Sequence, residues 1–244
     1  MLTTLSFESA NEDASFIKYI EIGHVEHLPN LTYCIAEYNA DFYSDYLFDT
    51  LGLVFPSFLR NAAIKRKAEY FAGRYCARML IKDKFIYSVS DAYPRVPVWP
   101  DGWCGSISHT DRYAMVVTAS QASGISVGVD IENKNLESAL EAQQVFAAPE
   151  ERAFLLNTKL PYALGLLILF SAKESLYKLL WSKVKRNMGF TSAKIVGLDE
   201  EKQGFTLALT ESLTSALGAG VKFDGKYAFY KGVIITCIAN TALM

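Results

Sequence analysis

The segment from Tyr162 to about Val184 constrains this 244-residue chain more than any other. It runs without proline at helical spacing and predicts one long helix. Leu166, Leu167, Leu169, Phe170, Leu176, Leu179 and Leu180 spread over most of its circumference, so little of it can face water. Its uncharged part, Tyr162–Phe170, is far shorter than the ~20 residues a bilayer span requires. Such a helix has to be covered by other elements of the same chain.

Those elements can be read on either side of it. Residues 58–82 lack proline, carry one glycine and alternate basic and apolar residues, predicting a long helix. Pro94, Pro97 and Pro100 then enforce an extended connection. Cys104–Ser108 and Tyr113–Ala119 predict two strands, joined at His109–Arg112 by a hairpin turn. From Gly124 to Glu132, Ile125, Val127, Val129 and Ile131 share one strand face, and Ser126, Gly128, Asp130 and Glu132 the other. Helical spacing follows to Asn157 in two pieces broken at Pro149. Lys194–Leu198, Phe205–Thr210, Lys226–Lys231 and Val233–Ala239 predict further strands. Before residue 55 only Leu31–Ala36 reads as a strand. Helix and strand come in segregated blocks, which predicts an α+β fold rather than a doubly wound sheet.

Composition excludes several classes. Apolar residues at 51% and charged residues at 20% exclude wholesale disorder. A net charge of -2 argues against coating nucleic acid, which needs a basic surplus. Cys34, Cys76, Cys104 and Cys237 show no metal-finger spacing and read as reduced thiols. The first residues carry no basic stretch followed by an apolar run, so a cytoplasmic protein without a secretory signal is expected. The length allows one large domain or two small ones.

Asp130 and Glu132 point the same way, roughly 6.5–7 Å apart. Paired carboxylates suit Mg²⁺, and the small Ser126 and Gly128 beside them leave room for a ligand. A lone D-x-E is more often a solvated strand face. In Phe170–Trp181, Glu174 and Lys178 are helical neighbours, with Lys173 about 100° round. A surface ion pair would explain them on a polar helix. On one this apolar they need partners, which a metal and a polyphosphate would supply.

Arg60, Lys65, Arg66, Lys67, Arg74 and Arg78 give the first long helix a basic face, with Lys67 and Arg74 on one side. That face reads as a solvated surface or as a site for an anionic small ligand. His109, at the end of its strand, could donate to a phosphate. Ser108 precedes it and points to the opposite face, so a Ser/His hydrolase pair is rejected.

Four segments, AGRYCAR (72–78), PVWPDGWCGSISH (97–109), VGVDIE (127–132) and FSAKESLYK (170–178), stand in this order. Together they resemble the Sfp-type 4'-phosphopantetheinyl transferases, in the bacterial branch serving siderophore and other nonribosomal peptide synthetases. The resemblance spans roughly residues 60–190. It implies two similar α+β halves related by a pseudo-twofold axis, here 1–120 and 121–244, with coenzyme A and Mg²⁺ in the cleft between them. The implied reaction is attack by a carrier-protein serine on the β-phosphate of coenzyme A, with release of adenosine 3',5'-bisphosphate.

By the same resemblance, Asp130, Glu132 and Glu174 are the expected metal ligands and Glu174 the base. Lys178 and Lys173 are expected to hold phosphate oxygens. Arg66, Arg74 and Arg95 match positions that grip coenzyme A, and Ser108 and His109 its phosphate-contacting pair. Lys183, Lys185 and Arg186 are candidates for meeting an acidic carrier protein, and a monomer is expected. Two other readings remain: a Mg²⁺-dependent pyrophosphate hydrolase acting on a nucleotide cofactor, and a non-catalytic module binding coenzyme A or carrier protein.

Overall fold

The computed structural model describes residues 2–8, 16–26, 28–81 and 97–241. The chain divides into two compact units on either side of the Ile125–Ser126 bond. No helix of the described residues is long and apolar enough to cross a membrane.

The first unit opens with three strands, β1 (Leu2–Glu8), β2 (Ile17–Val25) and β3 (Leu28–Tyr38). A single helical turn α1 (Leu47–Thr50) and the helix α2 (Ile64–Leu80) follow, then β4 (Trp103–His109) and β5 (Tyr113–Ser120). The sheet order is β1-β2-β3-β5-β4, and every ladder among the described residues is antiparallel. Ala68, Phe71, Ala72 and Cys76 of α2 bury against Ile20, Cys34, Ala36, Ala114 and Val116 of the sheet. The hairpin is closed by Thr110, whose Oγ1 accepts from the amides of Arg112 and Tyr113.

The second unit starts with β6 (Ser126–Asn133) and continues through α3 (Leu136–Phe146), α4 (Pro149–Leu156) and α5 (Tyr162–Val184). A meander completes it: β7 (Ala193–Asp199), β8 (Gly204–Leu209), β9 (Lys222–Tyr230) and β10 (Val233–Asn240). The sheet order is β6-β10-β9-β8-β7, again antiparallel throughout. α5 lies across β6 and β10, and α3 packs on α5. Both units follow one rule. A strand (β3 or β6) leads into a long helix, and the next strands fold back until the last (β5 or β10) pairs beside the first. Helices lie between strand blocks and no ladder among the described residues is parallel, so the fold is α+β as expected.

Two expectations need correction. The helix expected from residue 58 begins at Ile64, because Leu59 is buried in the core and the chain turns through a 3-10 turn, Ser57–Leu59, and an extended Ala63 to place it there. Periodicity reads through such a bend because residues on both sides face the same core. The segment before residue 55, in which only Leu31–Ala36 reads as a strand, holds three strands of the sheet.

Candidate active site

On β6, Asp130 is 2% exposed and stands opposite Thr236 of β10. α5 reaches this spot because Gly128 has no side chain. A Cβ there would fall 2.0 Å from the Ser175 carbonyl oxygen. The space that the sequence reading left for a ligand at Gly128 is therefore taken by the backbone of α5. The helix turns its polar stripe, Ser171, Glu174, Ser175 and Lys178, toward Asp130; these positions, i, i+3, i+4 and i+7, share one helix face.

The hydroxyls tie the two layers together. Ser171 Oγ donates to Asp130 Oδ2 at 2.8 Å and lies 2.9 Å from Thr236 Oγ1. Ser175 Oγ lies 2.7 Å from Thr236 Oγ1 and donates to the Thr236 carbonyl. Lys178 Nζ donates to Asp130 Oδ1 at 2.7 Å. Burial and the charge of Asp130 raise the Glu132 carboxyl to about 8, with Glu174 adding and Lys178 opposing. Burial and Asp130 also raise Glu174, again against Lys178. Three carboxylates thus share a half-buried site with one ammonium, and the excess negative charge makes ionisation of Glu132 and Glu174 costly.

Such a set of hard oxygen donors fits a divalent cation such as Mg²⁺ by its chemistry. Among the described residues, however, no three carboxylate, histidine or cysteine side chains converge into a ready-made metal cage. Mg²⁺ usually takes one or two carboxylates and completes its shell with water and substrate phosphate, so these residues fit a cation that is held together with a phosphorylated ligand.

Lys173 does something else. It is 5% exposed, and its Nζ donates to the Phe146 carbonyl, Glu151 Oε2 and the Phe190 carbonyl, each at 2.8 Å. An ammonium has three donors, and all are committed. The expectation that Lys173 holds phosphate is corrected on that ground. Glu151 also accepts from the amides of Ala148 and Ile195. The pair clamps the ends of α3 and α4 and the start of β7 onto α5, beside a cavity of about 290 Å³ lined by Glu174, Tyr177, Met188 and Phe190.

In the first unit, Arg66, Arg74 and His109 come together in a second cavity of about 370 Å³, between α2 and β4. Arg66 Nη1 donates to His109 Nε2 at 3.1 Å. Arg74 is 6% exposed and stacks on Tyr70 with its guanidinium 4.3 Å from the ring centre. Burial lowers its pKa, Arg66 adds to the fall, and Tyr70 opposes it. Arg74 Nε and the Tyr70 hydroxyl are buried without a hydrogen-bond partner among the described residues. Orphaned donors on a buried cation fit an anionic ligand.

Two other basic side chains of α2 are spent locally. Lys67, expected on the same face as Arg74, pairs with Asp45 at 3.0 Å, and Arg78 donates to the Leu51 carbonyl. Ser108 is buried on the opposite face of β4 from His109 and does not line this cavity, so the structure does not bring the two expected contacts together. Strand alternation alone requires this. Arg95 lies outside the described residues. Lys183, Lys185 and Arg186 are exposed. Sequence reasoning missed Glu69, Tyr70, Ser171, Ser175, Thr236 and Glu151. The helical stripe 171/174/175/178 was a signal for two of them, whereas Thr236 and Glu151 act through tertiary pairing.

The profile described as 4'-phosphopantetheinyl transferase N-terminal domain matches residues 55–119, and that of the 4'-phosphopantetheinyl transferase superfamily matches residues 126–230. The chain is 38% identical over 167 residues to enterobactin synthase component D of Salmonella typhi, covering 68% of each chain. The chain belongs to the 4'-phosphopantetheinyl transferase superfamily. It is also similar to enterobactin synthase component D of Escherichia coli K12, at 32% identity over 63% of this chain and 73% of that protein. The transferase PptT of Mycobacterium tuberculosis is 30% identical, over 75% of this chain and 82% of the other. Members of this superfamily are transferases that draw phosphopantetheine from coenzyme A, and apart from Thr236 the residues of both sites described above lie within the matched residues.

Proposed function

We propose that this phosphopantetheinyl transferase moves 4'-phosphopantetheine from coenzyme A to a serine of an apo carrier protein of a siderophore or related nonribosomal peptide or polyketide synthase, in a Mg²⁺-dependent reaction. The observation that carries the reading is the Asp130–Lys178 pair between β6 and α5, with Glu132 and Glu174 around it.

Asp130, Glu132 and Glu174 would hold the metal, which when bound supplies charge neutralisation to the pyrophosphate. Glu174, half-buried on the polar stripe, takes the proton of the incoming serine hydroxyl, directly or through one water. Lys178 leaves Asp130 for a phosphate oxygen and stabilises the departing bisphosphate. Arg66, Arg74 and His109 take the 3'-phosphate end of coenzyme A, which matches the unpaired donors of their pocket. Attack at the β-phosphorus forms the serine–phosphate bond and breaks the phosphoanhydride, releasing adenosine 3',5'-bisphosphate.

The test is intact-protein mass spectrometry of an apo carrier protein incubated with this chain, coenzyme A and Mg²⁺. The expected result is a gain of one phosphopantetheine that is lost with EDTA and with Glu174→Ala. Cleavage of coenzyme A without a carrier would establish the hydrolase instead. Binding of coenzyme A with no transfer to any of several carriers would establish the binding module.

A further inference from the structure

Three hydroxyls stand in a row behind Asp130, and each brings one proton. Ser171, Ser175 and Thr236 are fully buried, so water does not compete for them. Ser171 Oγ stands 2.8 Å from Asp130 Oδ2 and 2.9 Å from Thr236 Oγ1. Ser175 Oγ stands 2.7 Å from Thr236 Oγ1 and 3.0 Å from the Thr236 carbonyl oxygen. A carboxylate has no proton to give, so the proton at the first of these contacts belongs to Ser171. With that proton committed, the one between Ser171 and Thr236 belongs to Thr236. Ser175 is then the donor to Thr236, its proton shared between Oγ1 and the carbonyl. The hydroxyls therefore point one way, from Ser175 through Thr236 and Ser171 to Asp130. The reverse order would leave the Ser171 oxygen against the carboxylate at 2.8 Å with no proton between them.

Thr236 fixes Ser171 in this order. A serine inside a helix has a second acceptor in reach, the carbonyl three or four residues back, here that of Ile168 or Leu167. The Thr236 proton occupies a lone pair of Ser171 Oγ and holds that oxygen on the Asp130 side. Oδ2 then stays with Ser171. Oδ1 stays on the open side, where Lys178, 25% exposed, donates to it. An Oδ2 without its hydroxyl donor would draw Lys178 across both oxygens.

We propose that Thr236 is a positioning residue for Asp130: it commits the Ser171 proton to Oδ2 and so keeps Oδ1 available to a divalent cation. Thr236 acts through Ser171 and lies beyond the family-matched residues 126–230. The proposal rests on the reading of Asp130 as a metal ligand, and the experiment separates the two.

Mn²⁺, in place of Mg²⁺, is titrated into the full chain with coenzyme A present and no carrier protein, so that no transfer takes place. Free Mn²⁺ is read from its paramagnetic resonance signal, and binding by coenzyme A alone is subtracted. Thr236→Val weakens Mn²⁺ about tenfold, the lower end of the loss for a partner behind a metal ligand. Thr236→Ser keeps the hydroxyl and binds within about twofold of wild type. Ser171→Ala weakens Mn²⁺ at least as much as Thr236→Val, and combining the two weakens it no further. Ser175→Ala removes the far end of the row. It lowers the urea midpoint, because a tie between α5 and β10 is lost, yet Mn²⁺ binds within about twofold of wild type. A purely structural role for Thr236 would instead make Mn²⁺ affinity follow the urea midpoint, with Ser175→Ala beside Thr236→Val. If Thr236→Val does not fold, Thr236→Ala is read in the same way.

Additive losses in the double variant overturn the proposal, as does a loss in Ser175→Ala equal to that in Thr236→Val. If Asp130→Asn loses Mn²⁺ while Thr236→Val keeps it, the metal reading stands and the role of Thr236 falls. If the wild type binds no Mn²⁺ with coenzyme A, or Asp130→Asn binds it as tightly as wild type, the metal reading fails and Thr236 falls with it.

Discussion

Lys173 and Lys178 stand on one helix, yet one ammonium is sealed among protein acceptors and the other faces a carboxylate at the site. Removing one partner of a buried ion pair leaves the other uncompensated, at a cost of about 3–5 kcal/mol. Lys173→Met is therefore expected to lower the urea midpoint sharply, while the folded fraction keeps its coenzyme A affinity. A variant of normal stability that no longer binds coenzyme A would return Lys173 to the role of a phosphate ligand. Lys178→Met is expected to lower kcat for carrier modification about 10²–10³-fold, the usual loss for one donor aimed at developing charge. The sequence showed that Asp130 and Glu132 share a strand face and that Glu174 and Lys178 are neighbours, because periods of 2 and 3.6 follow from backbone geometry alone. It could not show where Lys173 sends its protons, since Phe146, Glu151 and Phe190 lie on other elements.

At the scale of elements, the site depends on how closely α5 approaches β6. Gly128→Ala puts a Cβ 2.0 Å from the Ser175 backbone oxygen, where no side-chain movement relieves the clash. The helix has to lift, which separates Ser171 and Lys178 from Asp130. Thermal unfolding is expected to show a loss of more than about 3 kcal/mol, beyond the usual range for overpacking. Carrier modification should fall with it. Gly218→Ala meets nothing closer than Ser212 Oγ at 3.9 Å and serves as the control, within about 0.5 kcal/mol of wild type. A Gly128→Ala protein as stable as that control would contradict the packing. Element boundaries show the same limit of local reading. α5 was legible at both ends from its proline-free apolar run. The start of α2 was not, because burial of Leu59 decides it.

At the scale of the whole molecule, burial of weak acids determines how stability depends on pH. Tyr19, Tyr38, Tyr43, Tyr113 and Tyr227 all have raised pKa values, with burial the leading cause, and so does Cys104. The fully buried Cys237 thiol is pushed up to about 12. An acid whose folded pKa exceeds its unfolded one favours the folded state below the unfolded value, and that contribution is lost as pH rises above it. With ordinary values of 9.0 for cysteine and 10.0 for tyrosine, Tm is expected to fall steeply from about pH 9 to 11, together with tyrosinate absorbance. A flat Tm over that range would refute it. By itself the sequence determined the segregated α+β content, the long buried helix, the Asp130–Glu132 strand face and, through four ordered motifs, the family, because each is set by local periodicity or residue identity. Only the tertiary structure decided that Lys173 is a clamp, that Ser108 and His109 part company across β4, and that Thr236 meets Ser171 and Ser175 of α5. Those outcomes depend on which distant residue fills the space around a side chain, and burial settles that when the layers pack.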